Sequence, residues 1–293
     1  MSFPAKNKRL RVIYNPTAGG RRRAKLEAVL AELDGLGAKV ELHPTSARGD
    51  AEKMTRLANP NEIDALIIAG GDGTIAEAVN GADGRLPIGI IPLGTANVLA
   101  HELALPVNNP AELARIILDG RERIIHTGLV NGRRFVLMAG IGLDAKVVAN
   151  ISLSLKKYLG KLAYVIETLR QTWAYEFPQL TLRLSDGKIH HGLTIIACKG
   201  RLYGGNFIAA PQADLGKASL EVLILRHGGF WGTALASAAL LAGKISSLGE
   251  IVTCEGFVLE GPTGAPIQAD GDIVGHLPAV VSVDPLPLRL IVP

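Results

Sequence analysis

The sequence predicts an α/β protein of two domains, a doubly wound parallel-sheet domain over residues 1–126 and a β-rich sandwich over 127–293 whose last strand is free to return to the first domain. Three observations predict it. Strand, turn and helix patterns alternate through the first 125 residues. Three of the turns, at Asn15, Gly70 and Gly94, carry glycine and lead into a helix. From His126 the pattern changes to hairpins: Asn131-Gly132 separates strand-like runs at 127–130 and 133–139, and 185–188 separates runs at 180–184 and 189–197.

Residues 9–14 read as a first strand, followed by the turn Asn15-Pro16-Thr17-Ala18-Gly19-Gly20 and a helix with apolar positions Leu26, Val29, Leu30 and Leu33. That helix stops near Gly35 and Gly37. A strand follows at 39–43, a turn begins at Thr45 or Ser46, and a helix over 51–58 returns to the strand 65–69. This strand ends in Gly70-Gly71-Asp72-Gly73-Thr74, ahead of an amphipathic run that closes at Asn80-Gly81. Residues 87–91 form a further strand, Pro92-Leu93-Gly94-Thr95 turns into a helix capped by Thr95, and 110–118 is one more helix. In a parallel sheet covered on both faces, the ligand crevice lies beyond the carboxyl ends of the strands, so the Asn15, Gly70 and Gly94 loops converge there. In the second half, 145–169 carries apolar residues at helical spacing and 230–248 is a second helical stretch. Both are assigned to packing on strands in preference to facing lipid.

With 48% hydrophobic residues among 293, the chain has ample material for buried cores. Its longest apolar stretch, near 230–242, is too short to span a bilayer, and the first residues lack a signal-peptide core, so a cytoplasmic protein with peripheral membrane association is expected. Cys198 and Cys254 sit in apolar runs and read as buried thiols. Basic residues cluster at Lys6, Lys8, Arg9 and Arg11 and again at Arg21, Arg22, Arg23 and Lys25, which suits nucleotide phosphates or transient contact with an anionic membrane surface. No aromatic residues interleave with them, so nucleic acid is not expected as a partner. A homodimer stays open.

The Gly70 turn carries the most chemistry. Glycine lets the backbone approach a ligand closely, and the amides at the start of the following helix point at an anion. A carboxylate at Asp72 would repel a bare phosphate, so its presence makes sense where a divalent cation shares the site. A plain structural turn and a dinucleotide fingerprint remain alternatives, although the loop lacks the G-x-G-x-x-G spacing of a Rossmann dehydrogenase.

The turns at Asn15–Gly20, Gly70–Thr74 and Pro92–Asn97, followed by Asp270-Gly271-Asp272, resemble in order the motifs of the diacylglycerol kinase catalytic-domain family, which includes bacterial YegS-like lipid kinases, sphingosine kinases and ceramide kinases. Between them, Gly140-Ile141-Gly142-Leu143-Asp144-Ala145 and Tyr203-Gly204-Gly205 followed by Pro211 match as well. The resemblance implies an NAD kinase/diacylglycerol kinase-like nucleotide domain, a lipid-binding β-sandwich, and ATP- and Mg²⁺-dependent phosphorylation of a lipid hydroxyl such as that of diacylglycerol or a sphingoid base. Asn15, Thr45, Gly94 and Thr95 resemble nucleotide contacts, and Gly70, Gly71, Asp72, Gly73, Thr74, Ile75 and Ala76 resemble the phosphate-binding loop. Asp72 is the implied Mg²⁺ ligand and a catalytic residue. Asp272 matches the family's glutamate proton acceptor, one methylene shorter.

Two departures qualify the match. Val98 stands where many relatives carry a carboxylate, leaving Asp72 as the acidic group in the nucleotide loops. Family spacing also places Lys217-Ala218 where relatives carry the Asp-Gly of a structural Mg²⁺ site, so no structural magnesium is expected and Lys217 is expected to supply the charge, for instance against Asp214. Alternative functions are a non-catalytic lipid-binding protein that kept the fold, and an NAD kinase.

Overall fold

The computed structural model describes residues 7–16, 19–150, 172 and 175–293. The chain divides into two compact units, Met1–Ile125 with Leu286–Pro293, and His126–Pro285.

In the first unit the elements run β1 (Arg9–Tyr14), α1 (Gly20–Gly35), β2 (Lys39–Pro44), α2 (Asp50–Arg56), β3 (Ala65–Gly70), α3 (Asp72–Gly81), β4 (Ile88–Pro92), α4 (Val98–Glu102), α5 (Pro110–Asp119) and β5 (Arg121–Ile125). β3 and β4, with the apolar sequences ALIIAG and IGIIP, are buried at every position, as parallel strands covered on both faces must be. At the sheet edge β2 alternates charge and apolar side chains and stays largely exposed. α5 starts cleanly because Asn109 accepts from the Glu112 N–H and Pro110 needs no donor there.

The second unit continues with β6 (Gly128–Val130), β7 (Arg133–Phe135), β8 (Met138–Gly142), α6 (Leu143–Asn150), β9 (Leu180–Leu184), β10 (Ile189–Gly192), β11 (Thr194–Cys198), the short β12 (Leu202–Tyr203) and β13 (Phe207–Ile208), and β14 (Leu220–Leu225). It closes with α7 (Gly229–Leu241), a 3₁₀ turn at Ile245–Ser247, β15 (Glu250–Cys254), β16 (Gly256–Glu260), β17 (Pro266–Ala269), β18 (Asp272–His276) and β19 (Ala279–Val283). Two sheets form, ordered β10-β9-β16-β19-β6-β7 and β15-β14-β11-β8-β17-β18, with their neighbouring strands antiparallel. Leu182, Leu259 and Val281 from the first share one core with Ile141, Ile195 and Val222 from the second, which makes the unit a β-sandwich. Asn131 and Gly132, both at positive φ, turn β6 into β7 as the sequence predicts.

The last strand, β20 (Leu288–Val292), belongs to the first unit, whose sheet order is β2-β1-β3-β4-β20-β5. It runs parallel to β4 and antiparallel to β5. Because β2 and β3 flank β1 on opposite sides, the order reverses between β1 and β3, which is where doubly wound sheets open a ligand crevice.

Two expectations change. The strand expected at 133–139 is two strands, because the chain leaves one sheet at Phe135 and enters the other at Met138; the run at 189–197 divides in the same way at Leu193. α7 fully buries none of its apolar residues, its one buried side chain being Thr233, because apolar side chains surround the whole helix and a single face can turn inward. Most of the helical stretch expected over 145–169 lies outside the described residues, which hold its beginning as α6. No helix among the described residues is long and apolar enough to cross a membrane. Both cysteines are free thiols, and burial pushes the Cys254 thiol up to about 11, which keeps it protonated and unreactive near neutrality.

Candidate active site

In the first unit, register places the ends of β1, β3 and β4 level, since Tyr14 pairs with Ala69 and Gly70 with Pro92. The loops beyond them are stitched together. Asn15 N–H donates to the Ala69 carbonyl at 3.3 Å and Leu93 N–H to the Gly70 carbonyl at 2.9 Å. Gly71 and Gly94 lie back to back: a Cβ on Gly94 would sit 2.7 Å from the Gly71 Cα and 2.7 Å from Asn97 Oδ1. Only glycine permits this approach. Gly71 is extended and Asp72 starts α3, so the first-turn amides of α3, which have no acceptor within their own helix, cluster at this corner. Gly73 faces open space on its side of that turn, Thr74 packs on Gly70, and Ile75 anchors the turn in the core while Ala76 is partly buried.

Asp72 turns its carboxylate onto α4. Its Oδ1 accepts the Val98 N–H at 2.8 Å, so Asp72 takes the capping role expected of Thr95, and the helix begins at Val98. Burial raises the Asp72 pKa, while the backbone N–H donors of residues 97–99 work against that rise. Asn97, at φ 47°, donates from Nδ2 to the Gly94 carbonyl at 2.9 Å, and its Oδ1 is buried with no donor facing it. Thr95 Oγ1 instead receives Arg22 Nη2 at 3.0 Å. From the same helix, Lys25 Nζ donates to the Pro92 carbonyl at 2.7 Å, and burial lowers its pKa.

In the sequence Arg22 and Lys25 stand out only as part of a basic cluster. Their i, i+3 spacing on the helix that follows the Asn15 turn was the available signal, because it puts both on one face. The other cluster is otherwise engaged: Arg9 pairs with Asp64, Arg11 with Glu41 and Glu62, and Lys8 Nζ donates to the Leu118 carbonyl, while Lys6 lies outside the described residues. Thr45 follows the edge strand, its N–H on the Tyr14 carbonyl at 2.9 Å and its Oγ1 on the same oxygen at 3.4 Å.

Among the described residues no group of three or more His, Cys, Asp or Glu side chains could hold a metal ion. The corner offers one carboxylate and the unmet acceptor of Asn97. That donor set fits a Mg²⁺ arriving on nucleotide phosphates with its water shell, and does not fit an ion caged by protein ligands.

In the second unit, Asp270 and Gly271 sit at φ 48° and 89° in the turn between β17 and β18. The Asp270 carboxylate accepts three amides, Val136 at 2.6 Å, Leu137 at 2.9 Å and Met138 at 3.1 Å, and so pins the crossing from β7 to β8. Asp272 opens β18 and is partly buried. Beneath the turn, Gly271 N–H donates to Gln268 Oε1 at 2.9 Å, which fixes the amide's orientation, and Gln268 Nε2 donates to Asp144 Oδ2 at 2.7 Å. Tyr203 Oη donates to the other Asp144 oxygen. Burial raises the Asp144 pKa against these two donors. Gly140 leaves room for the contact, since a Cβ there would lie 1.7 Å from Asp144 Oδ2. In the sequence Gln268 carries no signal of its own, and Asp144 and Tyr203 stand out only as motif positions without a role.

At the turn after Pro211 the buried cation is Lys199. Its Nζ donates to the carbonyls of Lys217 and Ser219, near Asp214, and burial lowers its pKa to about 8. Lys217, expected to carry the charge, is exposed and contributes its carbonyl.

A doubly wound domain with paired glycine loops at its strand ends, followed in the chain by a β-sandwich, defines a two-domain protein with an anion-binding corner in its first domain. Residues 9–130 match the family model of the diacylglycerol kinase catalytic domain, and residues 137–292 match that of the YegS C-terminal NAD kinase beta sandwich-like domain. A diacylglycerol kinase of Bacillus subtilis is 33% identical over 225 residues, which cover 75% of this chain and 74% of the relative. A protein named "Probable lipid kinase YegS-like" from Pseudomonas aeruginosa is 30% identical over 296 residues, 98% of this chain and 95% of the relative. The crystal structure of a diacylglycerol kinase from Bacillus anthracis superposes with a TM-score of 0.80 at 25% identity, covering 98% of this chain and 97% of the other. The chain belongs to the diacylglycerol kinase family, in its YegS-like form, and is a lipid kinase, a transferase acting on an alcohol group.

Proposed function

We propose that this chain transfers the γ-phosphoryl group of ATP to the hydroxyl of a membrane lipid alcohol, diacylglycerol, a sphingoid base or a chemical relative of these. The observation that carries the proposal is the backbone contact of Gly71 with Gly94, which gathers the α3 amides into one anion-binding corner in a chain of this family. The Gly70–Ala76 loop cradles the phosphates, with Arg22 and Lys25 adding positive charge beside it, and Asn15, Thr45, Gly94 and Thr95 line the nucleotide site. Asp72 and Asn97 would hold a Mg²⁺ that arrives with the nucleotide, and the ion would supply positive charge against the phosphoryl oxygens.

Asp272 orients the lipid hydroxyl and accepts its proton. The lipid oxygen forms a bond to the γ-phosphorus, the bond from that phosphorus to the β,γ-bridging oxygen breaks, and ADP leaves with the electron pair. Asp270 and Gln268 hold the turn on which Asp272 stands. Incubation with [γ-³²P]ATP, Mg²⁺ and mixed lipid micelles tests the reading: wild-type protein labels a lipid, and Asp272→Asn lowers kcat by about 10²–10⁴-fold with the KM for ATP little changed. A wild-type protein that labels no lipid extract under any metal condition sinks the proposal.

A further inference from the structure

α7 presents a surface that the kinase reaction does not use. Gly229–Leu241 contains no charged residue, yet Trp231 is 82% exposed, Leu235 53% and Leu241 62%. With Ala238 and Ala242, also exposed, these residues fall on one stripe at helical spacing. Phe230 packs edge-on against Trp231, ring centroids 5.3 Å apart, at the start of the helix. Along the sequence, the charges that flank the stripe most closely are basic. Between Glu221 and Glu250 the sequence has no carboxylate, while Arg226 and His227 precede the helix and Lys244 follows it. Arg226 bridges Glu250 with much of its side chain still in solvent, and Lys244 is exposed.

We infer that α7 docks on an anionic bilayer surface, lying in the plane of the interface with Trp231, Leu235 and Leu241 at the acyl boundary and Lys244 and Arg226 at the headgroups. This rests on the proposed lipid substrate, which has to be reached in a bilayer. Thirteen residues make a helix about 20 Å long, too short to cross a hydrocarbon core of about 30 Å but suited to lying on it. Tryptophan favours that depth, with its ring apolar and its N–H wet. A second copy of the chain is a poorer occupant, since a stable dimer buries about 800 Å² per partner and this stripe offers three large side chains.

Flotation with vesicles of phosphatidylcholine, alone or mixed with phosphatidylglycerol, tests the inference. Wild-type protein is expected to float with the mixed vesicles. The double variant Trp231→Ser/Leu235→Ser weakens that binding roughly a hundredfold, and Lys244→Glu weakens it about fivefold. Both variants keep the wild-type rate on a short-chain, water-soluble lipid alcohol, which shows that they are folded. A double variant that floats as well as wild type, or a wild-type dimer that the double variant dissociates without vesicle binding by either, overturns the docking. Wild-type protein that phosphorylates the soluble lipid but ignores vesicles sinks the docking and spares the kinase reading. Vesicle binding through the stripe without labelling of any lipid supports the docking and sinks the kinase reading.

Discussion

Gly73→Ala separates the stability of the phosphate corner from its function. Gly73 lies in the first turn of α3, exposed, and a Cβ built there meets no atom within 4 Å. Removing a glycine from a helix stabilises the fold by about 0.5–1 kcal/mol, a rise of at most ~2–4 °C in Tm for a protein of this size. The new methyl group, however, projects where a phosphate would approach the α3 amides. Displacing it far enough to lose one charge-assisted N–H bond costs about 1.5–3 kcal/mol, roughly 10–150-fold in ATP affinity. Gly94→Ala gives the contrasting case, because its Cβ would lie 2.7 Å from the Gly71 backbone, where ordinary contact begins at 3.4 Å. The two loops must part by several tenths of an ångström, at about 1–3 kcal/mol, so Tm and ATP affinity fall together. Thermal melts and isothermal titration with ATP read both quantities. If Gly73→Ala binds ATP as tightly as wild type, the phosphates do not rest on the start of α3 and the assignment of this corner is wrong.

Two further substitutions probe the second unit. Gln268→Leu strands the Gly271 N–H and loosens the turn bearing Asp272; kcat is expected to fall while the KM for ATP holds, and a parallel rise in that KM would contradict the positioning role. Lys199→Met tests the buried cation through pH. With its pKa lowered from 10.5 to about 8, Lys199 binds fewer protons folded than unfolded between those values, so it makes stability rise with pH across pH 8–10.5. The full difference is about 3 kcal/mol, and denaturant melts of wild type and variant should converge or cross accordingly, whereas parallel pH profiles would show that Lys199 titrates normally.

The parallel half of the fold was legible because β3 and β4 are unbroken apolar runs ending in glycine, and the hairpin at Asn131-Gly132 because two residues at positive φ have a strong sequence signature. What stayed hidden depends on contacts distant in sequence. The break at Val136 is imposed by the carboxylate of Asp270, 134 positions away. Lys199 reads as the end of an apolar strand, and nothing near it in sequence shows that the carbonyls of Lys217 and Ser219 close over its ammonium. Arg22 reaches Thr95 across 73 positions, so its place at the nucleotide loops had no local mark beyond helical spacing.

Asp72 shows the same limit most sharply, and it can be tested. Local preference made Thr95 the cap of α4 and left Asp72 for magnesium, yet the folded chain brings the Asp72 carboxylate to the Val98 amide. The two roles share one carboxylate. An ion on Oδ1 would compete with the Val98 N–H, whereas one reached through Oδ2 or through water would leave the cap in place. Asp72→Asn keeps an acceptor for Val98 and gives up the charge, so its Tm should stay close to wild type while the Mg²⁺ concentration needed for half-maximal activity rises. Asp72→Ala gives up both, and the lost cap costs a further ~0.5–2 kcal/mol. If Asp72→Asn shows a wild-type Mg²⁺ requirement, the carboxylate is a cap alone, and the ion depends on the nucleotide without it.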